Sequence, residues 1–136
     1  MKTKHNGLAL LVATAVAVPA IAHHSYAMFD GSKTTTVEGT VKQFQWTNPH
    51  SWVRVSVPDA SGQPVEWAIE MGAPNGLVRQ GWTPKTLTAG MKVKVTMHPL
   101  RDGKPGGQFM SATLPDGTQL GDPDANRRTA DGEAGQ

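Results

Sequence analysis

Five times between residues 34 and 114, apolar and polar residues alternate one by one. This is the period of a strand with one buried face, and a chain patterned this way must pair its strands around a shared core. In residues 34–46, Val37, Gly39 and Val41 fall on one face and Glu38, Thr40 and Lys42 on the other. Phe44 and Trp46 then lie on the formerly polar face, which predicts a bulge near Lys42 or Gln43, or a strand bending from one layer into another. Residues 51–57 put Val53, Val55 and Val57 inside and Trp52, Arg54 and Ser56 outside. Residues 65–71 put Val65, Trp67, Ile69 and Met71 inside and Glu66, Ala68 and Glu70 outside. The fourth stretch, 91–97, buries Met91, Val93, Val95 and Met97, with Lys92, Lys94 and Thr96 outside and His98 continuing that polar face. The last, 108–114, buries Met110, Ala112 and Leu114.

The segments between these stretches are turn-like. Asp30-Gly31-Ser32, Thr47-Asn48-Pro49-His50, residues 58–62, residues 101–107 and Pro115-Asp116-Gly117-Thr118 are rich in the residues that turns require. One helix is predicted, over residues 74–80, with Pro74 at its first position, Gly81 as its stop, and Leu77 and Val78 facing a core. Three strands, a short helix and two strands predict an all-β domain with one helix, a small five-stranded barrel of the oligonucleotide/oligosaccharide-binding (OB) type. A small β-sandwich with a capping helix is the alternative.

The ends of the chain have a different composition. Met1-Lys2-Thr3-Lys4 is basic, residues 8–18 are apolar without interruption, and Ala20-Ile21-Ala22 matches the small-x-small pattern of signal cleavage. The apolar run is shorter than the roughly 20 residues a bilayer requires. Residues 1–22 therefore read as a signal peptide, 23–120 as the OB-like domain, and 121–136, almost free of apolar residues, as a disordered tail. Periplasmic or secreted localisation is expected, with no transmembrane segment after processing. Lys2 and Lys4 leave with the leader, so the basic residues that remain balance the 11 acidic ones. A neutral exported domain is not expected to bind nucleic acid.

There is no cysteine, so thiolate-bound zinc and iron–sulfur clusters are excluded. Histidine offers another metal chemistry. Cleavage after Ala22 makes His23 the first residue, and its α-amine and Nδ1 close a chelate ring on one ion. A further imidazole completes a three-nitrogen set suited to tetragonal Cu(II). His50 is the first choice for that ligand and His98 the second. His24 would point away in an extended arm, but would still bind through its imidazole, the amine and the intervening amide. Cleavage after Ala20, a weaker match, would place a histidine third, a spacing that also chelates Cu(II) or Ni(II).

A second candidate is an aromatic and basic sheet face of Trp46, Trp52 and Arg54 with Lys42, Lys92 and Lys94, able to bind an oligosaccharide or peptide of the envelope. Glu38, Glu66 and Glu70 share the outward positions. Met71, Met91, Met97 and Met110 fit inward positions and read as core fillers. Glu66 and Glu70 lie about 13 Å apart along a strand, too far for a glycosidase pair. The sequence has no Gly-x-Ser-x-Gly, phosphate loop or His-Glu-x-x-His, and a non-enzymatic protein is expected.

The run His23-His24-Ser25-Tyr26-Ala27-Met28-Phe29-Asp30, then Gly39-Thr40-Val41, Phe44-Gln45-Trp46-Thr47-Asn48-Pro49-His50-Ser51-Trp52 and Gly81-Trp82, resembles a family of small exported bacterial proteins, domain of unknown function 6152. The resemblance covers most of the domain and implies export and a single domain, without an activity. The leading expectation is an exported β-barrel that binds copper through His23 with His50. The alternative is a groove for an oligosaccharide, a peptide or another envelope component, or a structural interaction module.

Overall fold

The computed structural model describes residues 26–122. A 3-10 turn at Tyr26–Met28 precedes β1 (Thr35–Gln45), β2 (Trp52–Pro58), β3 (Pro64–Glu70), α1 (Pro74–Arg79), β4 (Lys92–Pro99), β5 (Gly106–Thr113) and β6 (Gln119–Gly121). β1 pairs antiparallel with β2 and with β4, β2 with β3, and β4 with β5. β3 then pairs in parallel with β5, and the circuit β1-β2-β3-β5-β4-β1 closes. That is the OB barrel, not the sandwich. Val37, Val41, Val53, Val55, Ile69, Val93, Val95, Met97 and Ala112 fill its interior, each from an inward position of an alternating stretch.

The predicted bulge is present. The β1–β2 register shifts between Val41 and Gln43, so Lys42 is the extra residue and Phe44, opposite Val53, returns to the inner face. Trp46 joins it there and packs on the core, a correction to its placement on the outer face. A second bulge, which alternation alone does not reveal, lies in β5, where Met110 is passed over between the Thr96–Ser111 and Met97–Phe109 pairs. It pairs Met97 with Phe109, so Phe109 takes the core position that simple alternation assigns to Met110.

Closure uses two glycines that read as loop in the sequence. Gly106 and Gly107 lie within β5 and pair with Ala68 and Ile69 of β3. A Cβ at Gly106 would stand 2.5 Å from the Ala68 carbonyl oxygen. Strands approach this closely only where no side chain intervenes.

α1 caps the barrel mouth. Pro74 supplies its first position, and Gly81, at φ +89, ends it. The Trp82 amide donates to the Leu77 carbonyl at 3.0 Å and the Gly81 amide to that of Val78 at 3.0 Å, the bonding of a Schellman motif. The reversal drives Leu77 and Trp82 into the core while Val78 remains 59% exposed, correcting the expectation that both Leu77 and Val78 face inward.

The expected turn over Pro115-Asp116-Gly117-Thr118 forms, with the Leu114 amide donating to the Thr118 carbonyl at 2.9 Å. It returns the chain as β6, a sixth strand unforeseen because three residues show no period. Pairing continues through Gly121, and the Asp122 amide donates to the Met110 carbonyl at 2.8 Å. The segment expected to be a signal peptide (1–22) and most of the expected tail (123–136) lie outside the described residues. Among the described residues, no helix is long and apolar enough to cross a membrane.

Four turns are built on aspartates. The Asp59 carboxylate accepts from the Ser61 hydroxyl at 2.7 Å, the Ser61 amide at 2.8 Å and the Gln63 amide at 2.9 Å. These bonds, the Ser61 hydroxyl foremost, hold its pKa below the ordinary value. Asp30, Asp102 and Asp116 are lowered in the same way, by the Ser32 hydroxyl, the Lys104 amide and the Thr118 amide respectively. A carboxylate lowered in the folded state stabilises fully above its unfolded pKa of about 3.9 and loses that contribution as pH falls through its folded value. Urea midpoints should therefore fall below about pH 4, and Asp59→Ala should flatten that acid limb.

Candidate functional site

His50 is placed by the end of the β2–β3 ladder. Beyond the Trp52 and Glu70 pair, the Ser51 amide donates to Gly72 at 3.0 Å and the Met71 amide to Ser51 at 2.8 Å. Thr47 Oγ1 donates to the His50 carbonyl at 2.9 Å, closing the Asn48-Pro49 connector, whose peptide bond is cis. The imidazole then meets Glu70, with His50 Nδ1 in direct contact with Glu70 Oε1. The two side chains are 24% and 14% exposed. A carboxylate accepts, so Nδ1 carries the hydrogen in this contact. A recess of about 200 Å³ opens beside the pair, lined by Met71, Gly72, Gln108 and Phe109.

His98 is fixed by analogous chemistry. Its Nδ1 donates to the Lys33 carbonyl at 2.7 Å, which again assigns the tautomer. Gln108 of β5 stands opposite His98 on one side and Glu70 on the other, so Glu70, Gln108 and His98 form one row across the barrel. Strands are about 4.8 Å apart, so His98 and the Glu70 that holds His50 lie on either side of β5. Among the described residues no three His, Cys, Asp or Glu side chains form a metal cluster.

His23 and His24 lie outside the described residues. The segment from Ala27 to Asp30 is anchored beside β4. Phe29 bridges Leu100, the Asp30 amide donates to Pro99 at 2.8 Å, and Arg101 donates from its amide to Met28 at 3.0 Å and from Nε to Ala27 at 3.0 Å. His23 is four positions before Ala27 in the chain, a span of at most about 14 Å.

The aromatic and basic face is broken up. Trp46 meets Phe44 edge-on at 5.7 Å, on the inner side of β1, whereas Trp52 stands outside beside Glu70. Arg54 donates to Glu66 at 3.0 Å, Lys92 to Thr40 at 2.8 Å, and Lys94 pairs with Glu38 at 2.8 Å. Trp46 is thus removed from Trp52 and Arg54, which share the outer face of β2.

Two features of the site have no signal of their own in the sequence. Glu70 reads there only as an outward strand residue. Its partnership with His50 depends on a turn that nothing local to Glu70 encodes. The second is a cleft of about 580 Å³ where β5 passes from β3 to β6, bounded by α1 and containing His98, Gln108 and Gln80. Gln108 carries no motif, and only the barrel circuit sets it between Glu70 and His98.

No curated protein matches the sequence. Among solved structures, the mitochondrial single-stranded DNA-binding protein Rim1 of S. cerevisiae aligns at a TM-score of 0.47 and 12% identity, over 61% of this chain and 93% of that one. The strand circuit itself, not this likeness, defines the barrel. The model of a family of unknown function, DUF6152, matches residues 11–109.

Proposed function

The chain belongs to the DUF6152 family, whose function is unknown, and from that starting point we propose that it is an exported copper-binding protein. In this reading His50, held by Glu70, is a metal ligand, and the terminus freed after Ala22 supplies the amine and imidazole of His23. The observation that carries it is the carboxylate on Nδ1 of His50. Metal-bound histidines characteristically donate their second ring nitrogen to such a group, which fixes the ring and its tautomer. The basic, apolar and small-x-small succession over residues 1–22 supports export. With no cysteine in the chain, nitrogen donors favour Cu(II) among the divalent ions. The Trp52 and Arg54 groove draws less support, because Trp46 turns inward and Arg54 is engaged by Glu66.

The test uses the exported protein, metal-free and with one equivalent of Cu(II). The expected result is an intact mass beginning at His23, one bound copper, and a tetragonal paramagnetic resonance signal with three nitrogen couplings. His50→Ala should remove tight binding and His98→Ala should leave it. Glu70→Gln should weaken binding by about 10- to 100-fold, as loss of an orienting partner does. Placing one alanine ahead of His23 should also abolish the signal, since it moves the amine out of the chelate. Stoichiometric tight binding that survives both His50→Ala and the added alanine refutes the site.

A further inference from the structure

The first turn of α1 carries a reactive pair. Asn75 is exposed and is followed by Gly76, and a Cβ at position 76 would meet nothing within 4 Å. The helix has six residues, and its N-cap, Ala73, has no side-chain acceptor. The Gly76 and Leu77 amides share the Ala73 carbonyl, at 2.9 and 3.1 Å. The Asn75 side chain has no hydrogen bond among the described residues. A helix this short is held by its buried Pro74 and Leu77 and not by its own ladder, so its first turn belongs to the parts of a fold that open locally.

Other positions with the same covalent possibility are blocked. Beyond the expected signal the remaining asparagines are Asn48 and Asn126. Pro49 follows the first and has no N–H to give up. Arg127 follows the second, with a side chain beside the nitrogen. Asp30, Asp102 and Asp116 also precede glycine. Their carboxylates accept from the amides of Ser32, Lys104 and Thr118 at 3.2, 3.0 and 2.8 Å. Those bonds pin them and favour the ionised form, which is a poor electrophile. Asn75 alone among these described residues joins an electrophilic amide, an unhindered neighbouring nitrogen and no hydrogen bond to hold the side chain back.

We propose that Asn75 is a site of spontaneous deamidation that rewrites the first turn of α1. When the turn opens, the Gly76 nitrogen gives its proton to a water or hydroxide and attacks Asn75 Cγ. A C–N bond closes a five-membered imide, the Cγ–Nδ2 bond breaks, and Nδ2 leaves as ammonia. Water then adds to one of the two ring carbonyls. One opening gives aspartate, and the other gives isoaspartate, with an extra methylene in the main chain. Nothing is oxidised or reduced. Aspartate places a negative charge in the first turn, where the helix dipole favours it. Isoaspartate lengthens the chain between Ala73 and Leu77 and breaks the bond between them. Because the Gln80 and Trp82 amides donate to the Leu77 carbonyl, that displacement passes to the end of α1. The reaction is separate from the copper reading and is tested in metal-free protein.

The full exported chain, kept warm in mildly alkaline buffer, is sampled over time and its peptides are analysed by mass spectrometry. The acid should replace the amide at Asn75 before any change at Asn48 or Asn126, as two chromatographically separate isomers. Unfolding in urea should speed the reaction by releasing the Gly76 amide. Gly76→Ala, which crowds the attacking nitrogen and firms the helix, should slow it at least about tenfold. Asn75→Asp should melt no lower than the unaged protein. The isoaspartyl fraction should melt at least about 4 °C below it, the loss of one helix hydrogen bond. An unaltered Asn75 where Asn126 has reacted, a single isomer at position 75, or an unchanged rate in Gly76→Ala would each overturn the proposal. If Gly76→Ala fails to fold, the order of sites and the isomer pair in the unsubstituted chain decide it.

Discussion

Trp82→Ala should destabilise the protein by about 3–5 kcal/mol, the range for removing a large aromatic side chain from a well-packed core. Trp82 is 1% exposed and is the largest fully buried side chain among the described residues. It comes directly after the left-handed Gly81 that ends α1, and so plugs the barrel mouth from the helix side. Its ring meets Phe109 edge-on at 5.3 Å and Phe44 at 6.1 Å. Both partners depend on bulges, Phe44 on the one at Lys42 and Phe109 on the one at Met110. The cavity left by alanine could close only by moving a strand or α1. Trp82→Phe should cost much less, because it keeps most of the contact and removes a buried indole N–H that has no hydrogen-bond partner among the described residues. Urea denaturation of the two variants checks the order. Equal losses would mean that the indole N–H, not ring volume, matters at this position.

Gly107→Ala is expected to cost at least about 2 kcal/mol through overpacking, with no cavity involved. Gly107 is paired on both sides, with Ile69 in β3 and with Pro99 in β4. A Cβ there would overlap the His98 carbonyl oxygen and come within 2.8 Å of Met97 Cγ and 2.9 Å of Met97 Sδ. The carbonyl belongs to a strand backbone and cannot turn aside without breaking the ladder. The parallel β3–β5 contact has only three residue pairs, Ala68 with Gly106, Ile69 with Gly107 and Glu70 with Gln108, so displacing one unsettles the whole closure. Hydrogen exchange should show amides of residues 68–70 and 106–108 losing protection before those of the β1–β2 ladder. Gly31→Ala, where a Cβ would meet nothing within 4 Å, is the control and should be near neutral.

The surroundings of Trp82 and Gly107 mark where the sequence is legible and where it is not. Period-two alternation locates β1 to β5, because each strand faces one common core and the side-chain period is set by the pleat. The phase change after Val41 reveals the first bulge for the same reason. The second bulge leaves no such mark, since Phe109 and Met110 are both apolar and either would satisfy a core position on sequence grounds. Gly106 and Gly107 read as loop, because glycine signals a turn and a close strand approach with equal strength. Val78 reads as inward on sequence grounds, but a helix of six residues buries only one stripe, and the Schellman reversal at Gly81 selects which stripe.

At the site, His50 is legible as an isolated imidazole beside a proline turn. Its partner Glu70 is not, since the two are joined by the β2–β3 register across 20 positions of chain. Trp46 and Trp52 look alike in sequence, and the bulge sends one to the core and leaves the other outside.

By itself, then, the sequence determined β1 to β5, the helix and its stop, the first bulge and the all-β class, because these arise from local period and from the φ preferences of glycine and proline. Only the tertiary structure decided that β3 and β5 close the barrel, that Glu70 backs His50, that His98 and Glu70 stand on either side of Gln108, and that Gly72 and Gly76 border a cleft. Each of those is a pairing between residues distant in the chain, and the register that sets it is fixed only when all five strands are closed around one core.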